Sequence, residues 1–267
     1  MKWETYGNLE NHCFTQSNNC NVCFSLSSAG LIYVYYGERV IQEILEEQNV
    51  TLSNDDTVKL FKKIYLSFIQ EIDGIDNGIP MFDQEPIYNY HTHLSARVKT
   101  FNPNWMEDKT PDEVDGLFQN AKEYVGKEFV DKVIYYGTIW LPARSIVEKA
   151  VKNRFNVSKS GEVIELERPC PWGEHLLEVE SELNIKIKYV LFEGGPDDFR
   201  IMCVPVKTGS FVLRKPLVKK WFGVRDEELE KVSGIEGIKF CHSTGFIGGH
   251  KTRDGTLKMA ELSLAED

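Results

Sequence analysis

The sequence lacks the features that mark membrane and secreted proteins. Its 267 residues contain no apolar run of about 18 residues, and its N-terminal segment does not follow the charged-then-apolar order of a secretory signal. Internal repeats, low-complexity tracts and the GxSxG, Walker and GxGxxG motifs are also absent. With 42% hydrophobic residues, the chain can bury a substantial core. We therefore expect a soluble intracellular globular protein that does not enter a membrane.

An excess of positive charge is also missing, because the formal net charge is -10. This charge disfavours loose binding to nucleic acid through bulk electrostatics. A nucleic-acid partner would have to be held by a local basic surface, for which Arg214-Lys215 together with Lys219-Lys220 is the best candidate. The alternative interpretation of these cations is a solvated charged face.

The cysteines do not indicate a disulfide framework. Six cysteines in a chain without secretory features indicate reduced thiols, and we expect Cys170, Cys203 and Cys241 in the core. The N-terminal cysteines have two interpretations, a structural zinc site or unstructured sequence. The four side chains that would form the zinc site are His12, Cys13, Cys20 and Cys23.

The apolar pattern predicts helices after a polar lead-in. Residues 1–25 are polar and aperiodic, which predicts an unstructured segment. Helical spacing of apolar residues begins near Ser27, and a second helix begins near Asn54 and ends at Gly74. Pro111 then opens a long helical region.

Strand-like sequence follows that helical region, which Pro142 kinks or divides. Branched and aromatic residues are enriched in 163–166, 185–192 and 199–206. The glycine-proline turn at 194–198 predicts a hairpin between the last two strands.

These patterns predict an α/β (α+β) fold with a change of character near residue 160. We divide the chain into the lead-in, residues 1–25, a mostly helical part, residues 26–160, and a smaller α+β domain, residues 161–267.

A glycine-rich segment near the C-terminus is suited to an anion. Gly245, Gly248 and Gly249 let the backbone approach a ligand, and His250 and Arg253 can donate hydrogen bonds beside a helix start. Phosphate is the expected ligand. The alternative is a strand that ends in a tight turn and needs glycine only for positive φ.

Carboxylates and histidines offer candidate metal ligands. Asp73 and Asp76 lie where a helix gives way to glycines, and an aspartate there suits Mg²⁺ or Mn²⁺. The alternative is a helix-terminating turn. His91 and His93 would face one side of a strand, either as metal ligands or as a polar surface pair.

Several segments taken together resemble the Myg family, named from the melanocyte proliferating gene product and placed in the DHH phosphoesterase superfamily. The resemblance covers roughly residues 26–265. The matching segments are Leu26-Ser-Ser-Ala-Gly-Leu-Ile-Tyr33, Glu71-Ile-Asp-Gly-Ile-Asp-Asn-Gly78, Leu94-Ser-Ala-Arg-Val98, Asn102-Pro-Asn-Trp105, Trp140-Leu-Pro-Ala-Arg144, Cys170-Pro-Trp-Gly-Glu-His-Leu176, Val232-Ser-Gly-Ile235 and His242-Ser-Thr-Gly-Phe-Ile-Gly-Gly-His-Lys-Thr-Arg253.

The resemblance implies a divalent-metal-dependent phosphodiesterase, a 3′–5′ RNA exonuclease associated with the nucleus and mitochondrion. It implies the helical remainder of a DHH-type α/β domain, followed by a DHH-associated α+β domain that binds RNA or nucleotide phosphate. The cofactor would be Mn²⁺ or Mg²⁺, held as a pair of ions. The residues implied in phosphate binding are Gly248, Gly249, His250 and Arg253.

The same resemblance predicts an impaired enzyme. Of the family's metal motifs, this chain keeps one, on Asp76 or Asp73, and Glu10-Asn11-His12 matches the Asp-His-His motif only in part. One carboxylate cannot hold two divalent ions. We therefore expect a truncated chain whose first helices lack a covering sheet and which carries no targeting segment, and we keep two alternatives. The first is an inactive RNA- or nucleotide-phosphate-binding module, and the second is a structural protein organised by zinc.

Overall fold

A computed structural model describes residues 26–82 and 84–266. The chain divides into two compact units, one ending at Leu141 and one beginning at Pro142. Among the described residues the first unit is helical, and the second contains a five-stranded mixed sheet. The prediction of a mixed helix and sheet fold is therefore confirmed. The predicted lead-in and zinc ligands lie outside the described residues.

The helical unit begins where the sequence predicts. The Ser27 hydroxyl accepts the Gly30 N–H and caps the first helix. Thr110 and Glu113 form a reciprocal capping box around Pro111. The helices are α1 (Ser28–Glu47), α2 (Asn54–Ile64), α3 (Gln70–Asp76), α4 (Leu94–Lys99) and α5 (Pro111–Tyr135), with π-helical segments at Tyr65–Ile69 and Tyr136–Trp140.

The second helix begins at Asn54, as predicted, but its C-terminal end differs from the prediction. Its N-cap is Ser53, whose hydroxyl accepts the Asp56 N–H at 3.1 Å. The chain stays helical past Gly74, which is buried, and this helical stretch ends at Asp76. The helix stops there because Gly78 has φ 66° and the Ile79 N–H bonds the Gly74 carbonyl at 2.8 Å. At Gly74, by contrast, packing overrides the tendency of glycine to end a helix.

The helical unit has its own core, so the expectation that its first helices lack a partner is corrected in part. Tyr33, Ile41 and Leu45 of α1 are buried in one cluster with residues of α2 and α5. Other apolar side chains of α1 do remain exposed to solvent: Ile32 is 62% and Tyr35 66% exposed. No helix within the described ranges combines the length and apolar character needed to span a bilayer.

The second unit is built around the sheet. Strand order is β1-β2-β3-β5-β4; β1 and β2 are parallel, joined through α8, and the other pairs are antiparallel. The predicted hairpin at 194–198 is present, with Asp197 at φ 51°. The elements are α6 (Leu141–Lys152), α7 (Arg154–Val157), β1 (Val163–Glu165), α8 (Gly173–Leu183), β2 (Tyr189–Gly195), β3 (Asp198–Cys203), a 3₁₀ turn (Lys219–Trp221), α9 (Asp226–Ser233), β4 (Ile238–Cys241), β5 (Ile247–His250) and α10 (Arg253–Ala265).

The two faces of the sheet are covered unequally. On one face, a hydrophobic core contains residues from each of β1, β2, β3 and β4, packed with residues of α9 and α10. On the other face, the core formed with α6 and α8 includes Ile164 of β1 and Val190 of β2 but no residue of β4 or β5. Among the described residues of this unit, none of the core on this second face covers its β5–β4 half, which we call the open half of the sheet.

The predicted core cysteines include two inert thiols. Cys203 and Cys241 are buried, and burial raises the pKa of each thiol to about 12. Cys170 is half-buried. A variant with Cys13, Cys20 and Cys23 replaced by serine keeps three thiols. We expect Ellman's reagent to react with one of these thiols in the native protein and with all three in urea-unfolded protein. Rapid native reaction of Cys203 or Cys241, located by peptide mapping, would contradict their burial.

Candidate functional site

Asp73, a predicted metal ligand, lies at the centre of a buried polar network. Its Oδ1 accepts the Ser27 N–H at 3.0 Å and the Ser27 hydroxyl at 2.6 Å, and its Oδ2 accepts the Tyr65 hydroxyl at 3.0 Å. A methyl group on Gly30 would lie 2.4 Å from Oδ1, so glycine is required where α1 passes the carboxylate. Asp73 thus fastens the start of α1 to α3, and a metal ion at this carboxylate would compete with these donors.

The other metal candidates are spread apart. Asp76 is exposed at the end of α3, and His91 is exposed in the loop before α4. His93 instead caps α4, because its Nδ1 accepts the Ala96 N–H at 3.3 Å. Across 26–82 and 84–266, no three histidine, cysteine or carboxylate side chains lie together so that they could hold a metal ion. The described residues alone therefore do not fit a two-ion centre.

The predicted phosphate-binding glycines lie in a strand. Gly248 and Gly249 belong to β5, which pairs with β3 on one side and β4 on the other. Gly248 faces the covered core, where an added methyl would lie 2.7 Å from Met259. Gly249 faces the open half, where a methyl would lie 2.5 Å from the Phe240 ring. Both glycines are explained by close packing, and it is Gly245 that has positive φ, 67°.

His250 is buried, and both its ring nitrogens are occupied. Nδ1 accepts the Thr252 N–H at 2.8 Å, so Nε2 carries the proton and donates to the Glu236 carbonyl at 2.8 Å. The ring lies against Gly255, where an added methyl would approach within 2.0 Å. His250 thus joins β5 to the first turn of α10.

Arg253 pairs with a carboxylate. Its Nε and Nη2 lie 2.8 Å and 2.6 Å from Glu165 Oε2, and this pairing raises the pKa of the guanidinium. Glu165 ends β1, so this contact ties α10 to the far edge of the sheet. The four residues predicted to bind phosphate are thus neighbours along the chain. In this structure their contacts pack β5 and hold the start of α10 in place.

The predicted basic surface at 214–220 is also divided. Arg214 forms a buried pair with Glu180, with Nη2 to Oε2 at 2.7 Å, and its Nη1 donates to the Ile187 carbonyl at 2.8 Å. Glu180 also accepts the Ile187 N–H at 2.6 Å. Arg214 therefore stabilises the unit internally, whereas Lys219 and Lys220 are exposed.

The structure brings together another set of residues on the open half of the sheet. Cross-strand register places Arg200 of β3, Gly249 of β5 and Phe240 of β4 in one row. The Arg200 guanidinium carbon lies 4.8 Å from the centre of the Phe240 ring, and that of Arg225 lies 5.6 Å from it. These side chains border a cavity of about 550 Å³ that we call the Phe240 pocket. Its lining is Arg200, Gly223, Arg225, Asp226, Lys239, Phe240, Cys241, His242 and Ser243.

Two cations of the Phe240 pocket are fixed by one carboxylate. Asp198 Oδ2 accepts hydrogen bonds from Arg200 Nε at 2.8 Å and Nη2 at 2.6 Å, and its Oδ1 accepts Lys239 Nζ at 3.0 Å. Burial raises the pKa of Asp198, but the hydrogen bonds from Arg200 and Lys239 outweigh it, so the pKa is lowered. Asp198 is therefore ionised at neutral pH and holds both cations in place.

Two further donors of the pocket are free to meet a ligand. Arg225 is exposed and forms no ion pair or hydrogen bond with any side chain that the structure describes. His242 Nδ1 accepts the Thr244 N–H at 3.2 Å, so the neutral ring carries its proton on Nε2. The pocket thus presents a fixed aromatic ring, two fixed cations, one free guanidinium and an imidazole N–H.

Sequence reasoning missed this pocket because its members are separated along the chain. Arg200 lies in β3, Phe240 in β4 and Arg225 just before α9. Pairing of β3 and β4 with β5 aligns the first two residues, and a β-bridge to Phe240 brings in Arg225. The nearest signal was Gly249, since a strand glycine marks a place where another group approaches closely. That group is the ring of Phe240.

Comparisons with known proteins place the chain. A family model labelled MYG1 exonuclease, described as uncharacterised protein family UPF0160, matches residues 10–264. A MYG1 protein of Dictyostelium discoideum is 45% identical over 256 residues, which cover 94% of this chain and 76% of that protein. Proteins named MYG1 exonuclease from Rattus norvegicus and Homo sapiens are each 43% identical. No solved structure matches the chain.

The alignments with the two mammalian proteins cover 90% of this chain, but 63% of the rat protein and 64% of the human one. The chain therefore spans less than two thirds of the length of these relatives. Because the family model covers most of the chain, and the Dictyostelium protein is similar over three quarters of its own length, the resemblance read from the motifs is confirmed. The chain belongs to the Myg family.

Proposed function

We propose that this chain is a nuclease component that binds the phosphodiester backbone of RNA at the Phe240 pocket, and that the whole protein acts as an exonuclease. Mammalian members of the family carry the name exonuclease. The observation that carries the proposal is the exposed Arg225 guanidinium, free of described carboxylates, beside Lys239 and His242.

The pocket meets the electrostatic requirement set by the acidic chain. With a net charge of -10, bulk attraction to a polyanion is absent, so binding depends on a local cluster of donors. Arg200, Lys239 and Arg225 supply three cations against Asp198 and Asp226. Since Asp198 is already shared by Arg200 and Lys239, Arg225 has the greatest freedom to pair with a phosphate.

The divalent ion and the relation to DHH phosphoesterases stay predictions that rest on the motif resemblance. Mn²⁺ or Mg²⁺ would supply a hydroxide nucleophile and stabilise the leaving oxygen. Because the described residues do not cluster around an ion, the contribution we assign to them is binding and orientation of the RNA strand. An RNA-binding module without catalysis is the second candidate, favoured by the same lack of a cluster among those residues.

An affinity measurement with Arg225→Gln tests the proposal. We expect the variant to bind single-stranded RNA about tenfold more weakly, because one charge-assisted contact is lost. The dependence of log affinity on log salt concentration should fall in magnitude by about 0.7, the value for one phosphate on a single strand. Fluorescence anisotropy in EDTA measures binding without cleavage.

Lys258→Gln is the matched control, because Lys258 is exposed on α10 and its loss changes the net charge equally. Equal weakening by both variants would show a nonspecific charge effect and contradict the site. A companion assay with Mn²⁺ separates the two candidates, because RNA bound but not degraded favours the module.

A further inference from the structure

The Phe240 pocket contains an aromatic ring that electrostatics alone does not require. Phe240 is half-buried, and its ring lies directly above the Gly249 backbone, where a methyl on Gly249 would lie 2.5 Å from Cε1 and 3.0 Å from Cδ1. The ring cannot move toward the sheet, and Gly249 leaves it room to lie there. A flat apolar surface is therefore fixed at the floor of a cationic pocket.

The two guanidinium groups near this ring differ in mobility. Arg200 is fastened by two hydrogen bonds to Asp198, which keep its guanidinium over the ring, 4.8 Å from the ring centre. Arg225 contacts the ring at 5.6 Å and is exposed, so it can move aside at the cost of one cation–π contact. Displacement of Arg225 uncovers the ring and at the same time releases a cation to meet a phosphate.

Geometry of this kind suits a nucleotide with an unpaired base. Every base has a π-face that stacks on an aromatic side chain, and arginine planes add to such stacks. The cavity of about 550 Å³ lies within the range of ordinary small-ligand sites, roughly 300–1,000 Å³. A base inside a duplex has both faces covered by its neighbours, so it cannot use the ring.

We infer that Phe240 is a stacking platform for one nucleobase of single-stranded nucleic acid, with Arg200 at the side of the base and Arg225 on the adjoining phosphate. This inference rests on the proposed function, because it assumes that the pocket binds nucleic acid. It adds the substrate class: a single-stranded end or segment, held through a base as well as through phosphate.

The test compares two oligomers of equal length in EDTA, an oligoadenylate and an abasic ribose-phosphate chain with the same number of phosphates. Phe240→Leu, which keeps apolar volume but removes the aromatic face, should weaken oligoadenylate binding about tenfold and leave the abasic oligomer within about twofold. Phe240→Trp should keep the oligoadenylate affinity. A blunt duplex should behave like the abasic chain.

The outcomes separate the two claims. If the wild-type chain binds neither oligomer, the proposed function fails. If it binds both, and Phe240→Leu weakens them equally or not at all, the platform is wrong while phosphate binding stands. Should Phe240→Leu fail to fold, as judged by circular dichroism, the tryptophan variant serves: its added fluorescence should be quenched by oligoadenylate and not by the abasic chain, and equal quenching or none overturns the inference.

Discussion

Replacing Asp73 with alanine should destabilise the start of α1 and α3 by about 4 kcal/mol, because three buried donors lose their acceptor at once. These donors are the Ser27 N–H, the Ser27 hydroxyl and the Tyr65 hydroxyl. Hydrogen–deuterium exchange of peptides from α1 measures the effect directly, since the protection of this helix should fall by the same free energy.

Asp76→Ala is the control for Asp73→Ala. Asp76 lies one turn later on the same helix but is exposed, so its loss should change stability by less than about 0.5 kcal/mol. If Asp73→Ala leaves protection unchanged and instead abolishes Mn²⁺ binding, then Asp73 is a metal ligand and the hydrogen-bond network is not its main role.

Replacing Glu180 with alanine should destabilise the sheet-containing unit by about 4 kcal/mol, the usual cost of removing one partner of a buried ion pair. Arg214 and the Ile187 N–H would both lose their acceptor in a site where Glu180 is 2% exposed. Amide exchange in β2, observed by NMR, reports this loss because Ile187 leads directly into that strand.

Two further variants make the interpretation specific. Glu182→Ala removes a carboxylate from the same helix, but Glu182 pairs with Arg144 at the surface, so the change should be at most about 1 kcal/mol. The double replacement Glu180→Leu with Arg214→Met should recover part of the lost stability, since it removes both buried charges. A double variant less stable than Glu180→Ala would contradict the account.

The sequence predicted those parts of the fold whose signals are local. Pro111 marks a helix start because proline is favoured at the first helical position, and Ser27 marks another because its hydroxyl can cap the helix. The turn at 194–198 identified the β2–β3 hairpin, since it joins two adjacent strands. In each case the contacts that decide the structure join residues only a few positions apart in the sequence.

The sequence did not predict what depends on packing between distant elements. Gly74 was expected to end a helix, yet it lies buried within α3. Gly248 and Gly249 were interpreted as a phosphate-binding turn, and their positions in β5 depend on pairing with β3, nearly fifty residues earlier in the chain. The Phe240 pocket was missed for the same reason, because strand register cannot be derived from local pattern.

The interior position of β5 has a consequence for biosynthesis. It is the last of the five strands to leave the ribosome, yet it belongs between β3 and β4. Until residue 250 has been added, those two strands expose unpaired backbone toward each other across a gap. A nascent chain arrested before that point would carry two open edges, which favour pairing with other polypeptides. The sheet therefore closes only after β5 has been synthesised.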